Sequence, residues 1–483
     1  MYLGWRSLGW PLIHDAPLMH YVAWLIGQGA VPYRDVFDMN LPGVYAVHVG
    51  VLRTLGAGDL AWRFFDLAWL LATAVLLWAY CRPVAGGAGA AGAALLFALY
   101  HLAGGAWRAG QRDFLLCLLV LACAYGVARS WESAGALGPL LLGGAALGAG
   151  MMLKPQAGLL WAAWTVAAAA GRRRAGRSGL GGAATLVAGS LVAPALALGW
   201  LAWRGGLAPF VEVLGGYVLP LYPHVGRALW WQAIGWHGHG WALMALLGAL
   251  AALGAWTARR EPSRVRMWLA LSGAAYGAVH FLAQGKGWEY HLYPLALFLC
   301  LLAGLALSPR PTLAAARGSL RALRPARVAA AVLLAASVVV LGVKGVEAVD
   351  APWIAAKERM VTALAADLER VAGPGTTVQV MDTTAGGIHA LLRLGRREPT
   401  RFLYDFHFFH DESDPRIQAL RAEFAGRLAA APPAAIVVMQ DTWPVPGYER
   451  LDRFPEVARL LADRYTLVRE GEGYRIHAKR RGP

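Results

Sequence analysis

The chain has 483 residues, of which 58% are hydrophobic and 15% charged, and its mean hydropathy is +0.45. A soluble domain normally carries about 25% charged residues, so this composition excludes an ordinary soluble protein. The net charge of +16 does not imply nucleic acid: residues 346–483 hold 19 basic and 19 acidic residues, so the excess lies entirely in the apolar first 345 residues, where orienting Lys and Arg are expected.

Residues 1–59 form no clean apolar span. They predict an amphipathic helix over 16–28, a polar turn PYRDVFDMNLPG over 32–43, and a second helix to about 56. A helix crossing a bilayer needs roughly 20 apolar residues. Such spans follow at about 60–80, 84–101, 113–129, 137–153, 156–170, 181–203, 240–257, 267–284, 291–308 and 328–345. Cys81, Cys117, Cys123 and Cys300 lie in or at the end of these spans and suggest no disulfide framework or CxxC metal site. In the tail, TVQVMD (377–382) and AAIVVMQ read as buried strands, 414–430 and 455–464 as helices, and YTLVRE and YRIHAK as a hairpin turned at Gly471 and Gly473.

Alternate loops differ in charge. One set holds Arg82, Arg129, Arg172, Arg173, Arg174, Arg177, Arg259, Arg260, Arg264, Arg266, Arg310, Arg317, Arg321, Arg324 and Arg327; the other holds Arg108, Arg112, Lys154, Arg204, Arg227 and Lys286. The positive-inside rule makes the first set cytoplasmic. Residues 1–59, the second set of loops and the tail are then extracytoplasmic. Only fourteen residues precede Asp15, so an outside-facing first loop predicts a start codon placed too late, with a first helix missing. The expected fold is a polytopic α-helical membrane protein of about 10–11 transmembrane helices. Its expected segments are an extracytoplasmic first loop (1–59), a transmembrane domain (60–345) and a soluble extracytoplasmic α/β domain (346–483).

Carboxylates are scarce before the tail. Glu132 and Glu261 fall in arginine-rich loops and are expected to be solvated. Asp15, Asp35, Asp38, Asp113 and Glu289 map to the outer face, and Lys154, Lys286, Arg112, His14 and His291 join them there. Ionisable groups gathered at one interface are costly without a role, so this constellation is the candidate site.

The segment HDAPLMHYVAWLIGQGAVPYRDVFDMNLPGVY resembles the first extracytoplasmic loop of the C-type (GT-C) glycosyltransferases, in the branch that includes protein mannosyltransferases and the lipid A aminoarabinose transferase. WRAGQRDF, GMMLKPQAG and QGKGWEYHLYP are also similar to bacterial members. The resemblance implies a GT-C-like fold, a polyprenyl-phosphate sugar as donor, and a catalytic Asp early in the loop, a position that Asp15 matches. It implies a cell inner membrane glycosyltransferase, hexosyl or pentosyl, acting on a hydroxyl of a glycan, lipid or protein.

Such a transfer needs a carboxylate to take the acceptor proton and cations to stabilise the departing phosphate. Asp15 is the candidate base. Lys286, Arg112 and Lys154 are candidates for the phosphate, with His291 and Tyr290 for phosphate or sugar. Further first-loop candidates are His14, Tyr33, Arg34, Asp35, Asp38 and Asn40; Asp113 and Glu289 complete the set. Several have plainer readings. Asp35 and Asp38 suit capping of the turn before Pro42, Arg112 and Asp113 a local pair at a helix start, Lys154 a loop marker beside Pro155, and Lys286 and His291 interfacial snorkelling. His101, His237 and His239 read as interfacial. No cluster has metal spacing, although an acidic first loop suits a divalent ion. The expected partners are the lipid-linked donor, membrane lipid and a hydroxyl acceptor, with no nucleic acid. The tail, balanced in charge, is expected to cover the site or hold the acceptor and not to supply the base. A transporter or flippase of a lipid-linked saccharide would predict two-fold repeats and charges at mid-membrane depth, and the sequence shows neither. A non-catalytic envelope assembly protein has no need of the polar constellation.

The orientation is testable by cysteine accessibility in intact cells. A cysteine at position 420 should label from outside and one at position 320 should not; the reverse pattern would refute the topology.

Overall fold

A computed structural model describes residues 1–229, 238–258, 264–307 and 320–480. The chain divides into two compact units. One comprises Met1–Gly9, Arg63–Leu198 and Arg227–Asp350; the other comprises Trp10–Trp62, Gly199–Gly226 and Ala351–Pro483.

The first unit is helical. Its helices are α1 (Tyr2–Arg6), α4 (Asp59–Ala103), α5 (Arg112–Glu132), α6 (Gly138–Leu153), α7 (Gly158–Arg174), α8 (Gly179–Trp203), α10 (Gly238–Ala258), α11 (Arg264–Gln284), α12 (Tyr293–Ala306) and α13 (Leu320–Val349), the ends of α4 and α8 falling in the other unit. Each predicted span window coincides with helix over nearly all of its described residues. The two expected at 60–80 and 84–101 are merged in α4, which carries Pro83 and a non-helical Gly86 at φ 70°. Proline removes a helical N–H, and glycine accepts positive φ without a Cβ clash, so the chain turns there. Among the described residues, five segments are long and apolar enough to cross a membrane: Asp59–Ala103, Arg112–Glu132, Gly179–Trp203, Glu289–Ala306 and Val328–Val371. Others, such as Gly138–Leu153 and Ala242–Gly254, are apolar but shorter.

Small residues set helix spacing in this unit. A Cβ at Gly144 of α6 would meet the carbonyl of Leu186 on α8, and one at Gly148 would meet that of Ser190. The backbones approach so closely only because no side chain intervenes, as is common between membrane helices. All four cysteines are buried free thiols.

The second unit contains a four-stranded sheet in the order β1-β2-β4-β3, from Val378–Met381, Ala435–Met439, Tyr465–Gly471 and Tyr474–Lys479. β1 and β2 are parallel, paired from Val378 with Ala435 to Met381 with Val438. β4 runs antiparallel to β2 and β3, and an irregularity interrupts the β3 register between Leu467 and Arg469. Residues of β1 and β2 are buried throughout; β2 is an apolar run, and in β1 the buried Gln379 accepts a hydrogen bond from the Thr400 hydroxyl at 2.8 Å. Helices α14 (Pro352–Val371), α15 (Gly387–Leu394), α16 (Pro415–Ala430) and α17 (Pro455–Arg464) complete the tail.

First-loop helices α2 (Ala16–Gly27) and α3 (Pro42–Thr54), and the short α9 (Leu207–Val213), belong to the same unit. The Phe37 N–H donates to Arg401 O at 2.7 Å, and the Tyr21 hydroxyl to Arg396 O at 2.9 Å. The first loop and the tail, expected as separate segments, are therefore packed together.

Candidate functional site

In the second unit, Asp15 stands at the N-terminus of α2, ahead of Pro17. His14 adopts φ 59°, a left-handed conformation uncommon outside glycine. Its Nδ1 lies 3.0 Å from an Asp15 carboxylate oxygen. Backbone strain of this kind costs energy and persists where surrounding contacts enforce it. One such contact is close by: the Leu12 N–H donates to Asp59 at 2.9 Å, and Asp59 also pairs with His389 at 3.2 Å and Arg393 at 2.7 Å. The segment before Asp15 is thereby tied to α15. A narrow cleft beside His14 is lined by Pro17, Lys357, Asp382 and His389. Asp382 accepts from the N–H groups of Ala385, Gly386 and Gly387 at 2.6, 3.0 and 2.8 Å, which fixes the start of α15.

The other first-loop candidates separate into surface and core. Asp35 accepts from the Val31 N–H at 2.8 Å and pairs with Arg34 at 2.8 Å, as its turn-capping reading requires. The Arg34 hydrogen bond holds the Asp35 carboxyl below its ordinary range. Asp38 is fully buried and accepts from the Asn40 side-chain amide at 2.8 Å and the Tyr45 hydroxyl at 2.7 Å. Tyr33, at φ 71°, donates from its hydroxyl to Asn40 O at 2.6 Å. Asp38, Asn40 and Tyr33 thus form a buried lattice that shapes the loop.

In the first unit, residues from three predicted loops converge. Asp113, in the first turn of α5, accepts from His280 Nε2 of α11 at 2.6 Å and lies 3.0 Å from Lys154 Nζ. Lys154 also donates to Gln284 Oε1 at 2.7 Å, and the Tyr276 hydroxyl is 3.2 Å from His280 Nδ1. His291 is buried 6.5 Å from the His280 ring, within electrostatic reach of Arg112 and Lys154, and packs edge-on to Tyr290. Asp113 therefore pairs with Lys154 and His280, and Lys154 is a buried ion-pair partner instead of a loop marker. Glu289 pairs with Arg108 at 2.5 Å. Lys286 is buried in the loop after α11, and burial together with the charge of Arg227 lowers its ammonium to a pKa of about 8.

Two polar groupings have no counterpart in the expected site. Asp66 is buried with Arg63, accepts from the Gly110 N–H at 2.6 Å, and lies 3.0 Å from His101 Nε2. His101 Nδ1 is 2.8 Å from the Tyr293 hydroxyl, so His101 is buried and hydrogen-bonded. Glu132, expected to be solvated, takes two hydrogen bonds from the buried Arg266 at 2.6 and 2.9 Å. His280 and Gln284 were detectable as polar residues four apart on an otherwise apolar helix; Lys357 and His389 carried no comparable signal. His237, Glu261, Arg259, Arg260, Arg310 and Arg317, and the side chains of His239, Arg321, Arg324 and Arg327, lie outside the described residues. Among the described residues, no three or more His, Cys, Asp or Glu side chains converge as a metal site.

These features match a known architecture. The family model for dolichyl-phosphate-mannose-protein mannosyltransferases matches residues 42–203. The fold is similar to that of ArnT from Cupriavidus metallidurans bound to undecaprenyl phosphate, with a TM-score of 0.60 and 14% identity over 99% of this chain and 96% of that one. The apo state of that ArnT matches with the same TM-score and 13% identity over the same shares. An Archaeoglobus fulgidus oligosaccharyltransferase tethered with an acceptor peptide is similar with a TM-score of 0.50 and 12% identity, over 99% of this chain and 73% of that one. No curated protein matches this sequence. The chain thus has the fold of the GT-C glycosyltransferase superfamily: a polytopic helical membrane protein with a small C-terminal sheet domain. The resemblance stated from the first-loop motif is borne out at that level.

The Asp113–Lys154 pair gives a stability prediction. Removing one member leaves the other charge buried, at a cost of about 3–5 kcal/mol, whereas removing both costs less. Asp113→Leu and Lys154→Met should each lower thermal stability in detergent, and the double variant should recover much of the loss. Additive losses in a double-mutant cycle would show that the two are not coupled.

Proposed function

We propose that this chain is a membrane glycosyltransferase that moves a sugar from a polyprenyl-phosphate-linked donor to a hydroxyl acceptor at the extracytoplasmic face. The observation that carries the reading is Asp15. It occupies the position of the catalytic Asp in the resembling first-loop motif, and His14 holds its carboxylate at 3.0 Å from a strained backbone.

In this reading Asp15 takes the proton of the acceptor hydroxyl as its oxygen attacks the anomeric carbon. The bond from that carbon to the phosphate oxygen breaks, and the polyprenyl phosphate leaves with the bonding electrons. His14 positions the carboxylate. Lys286 is the favoured cation for the phosphate, and Lys154 is assigned to its ion pair with Asp113. An anion arriving at Lys286 would offset both the burial and the Arg227 repulsion that disfavour its charge.

Asp15→Asn keeps size and hydrogen-bonding capacity but cannot accept the proton. Transfer from radiolabelled polyprenyl-phosphate sugars should fall by on the order of 10²–10⁴ at unchanged thermal stability. Asp35→Asn is the control and should retain most activity, since asparagine serves the turn nearly as well. Near-normal turnover by Asp15→Asn would remove Asp15 from the mechanism.

Donor binding should also respond to pH. Lys286 is charged below about pH 8 and neutral above it. If its charge grips the phosphate, KM for the donor rises as pH passes upward through that value. Lys286→Arg, charged throughout, should flatten the profile. A pH-independent KM in the parent protein would exclude Lys286 from the phosphate site.

A further inference from the structure

The helical unit contains a second polar feature, unrelated to the groups assigned to sugar transfer. Where α5 and α7 end and α11 begins, a cavity of about 680 Å³ is lined by Trp131, Glu132, Trp164, Arg174, Arg264 and Trp268, among others. Its volume falls in the usual range of roughly 300–1,000 Å³ for small-ligand sites. Most of its inner polar groups are already engaged. The Trp131 indole N–H donates to Ala167 O at 2.9 Å, the Trp164 indole N–H to Ser272 Oγ at 3.0 Å, and Glu132 is neutralised by the buried Arg266.

What remains available is specific. Trp268 is 64% exposed, so an aromatic face is open at the cavity. Arg174 and Arg264 are exposed, and among the described residues neither makes a hydrogen bond or ion pair. With Glu132 neutralised, the cavity is left with two uncompensated positive charges beside apolar and aromatic walls. A free inorganic anion would use the arginines and waste the walls. A neutral lipid would use the walls and leave the arginines unanswered. An amphiphile with a phosphate head and an apolar body uses both. Tryptophan favours the headgroup level of a bilayer, and basic pockets between membrane helices suit anionic headgroups.

We propose that this cavity binds an anionic phospholipid, its phosphodiester between Arg174 and Arg264 and its glycerol and upper acyl region against Trp268. The site is independent of the Asp15 chemistry and stands whether or not that reading holds.

The test titrates the purified full-length chain in detergent with cardiolipin, phosphatidylglycerol or phosphatidylcholine and counts retained lipid by native mass spectrometry. The two anionic lipids should bind more tightly than phosphatidylcholine. Arg174→Gln with Arg264→Gln should weaken that binding by about fivefold for each arginine removed. Arg174→Lys with Arg264→Lys should keep most of the affinity, and Trp268→Ala should lower it. Arg177→Gln, on an exposed arginine outside the cavity lining, should leave it unchanged. Both arginines are on the surface, so the variants should melt like the parent protein. Unchanged anionic-lipid binding in the double glutamine variant, or equal retention of phosphatidylcholine, would overturn the proposal. So would displacement of the lipid by inorganic phosphate at matched ionic strength, which would indicate a soluble-anion site.

Discussion

A charge inside an apolar helical unit must meet a partner, and the unit is organised by that constraint. Asp113 meets Lys154 and His280, Asp66 meets Arg63 and His101, and Arg266 meets Glu132. Each group fastens segments far apart in sequence: α5 to the start of α7 and to α11, or α4 to the Gly110 turn. An isolated ion in hydrocarbon costs several kcal/mol, so each group tolerates few alternative arrangements. Hydrophobic burial cannot choose among helix pairings in lipid, because lipid tails are as apolar as the helix faces. Polar pairing and the close glycine contacts of α6 with α8 supply that choice.

The second unit uses a different currency, backbone geometry. His14 and Tyr33 both hold positive φ, on either side of α2. Asp59, whose carboxylate binds the Leu12 N–H and two α15 side chains, anchors the first of these turns. The buried Asp38 lattice anchors the second. The chain is thereby fixed on either side of α2, at whose N-terminus Asp15 stands beside His14.

Much of the architecture was legible in the sequence. The spans were readable from apolar length, β1 and β2 from short runs rich in Val and Ile, and the terminal hairpin from its paired glycines. Helix positions followed from local pattern, and local pattern is what a sequence displays. Pairings across the fold were not readable. Nothing near Lys154 announces Asp113, and nothing near Asp113 announces His280, because their proximity is created by helix packing. The same limit explains Glu132: its neighbours in sequence suggested a solvated loop, whereas its partner Arg266 arrives from α11. Asp59 reaches across the chain to His389 and Arg393, a link that made the first loop and the tail one unit where composition had suggested two.

The two lysines among the candidate cations show why position in sequence is a poor guide to role. Both were placed at the outer face by the same rule. Lys154 sits in a closed circuit with Asp113 and Gln284, and its charge is spent on holding α5, α7 and α11. Lys286 is buried beside a like charge, Arg227, and its charged form is disfavoured. An anion near Lys154 would compete with Asp113 and gain little. An anion near Lys286 would offset part of the electrostatic cost of its charged form, because binding and protonation of the lysine then reinforce each other. On the proposed reading, loss of Lys154 is therefore read mainly in stability and loss of Lys286 mainly in donor affinity, a separation that rests on the different surroundings of the two lysines.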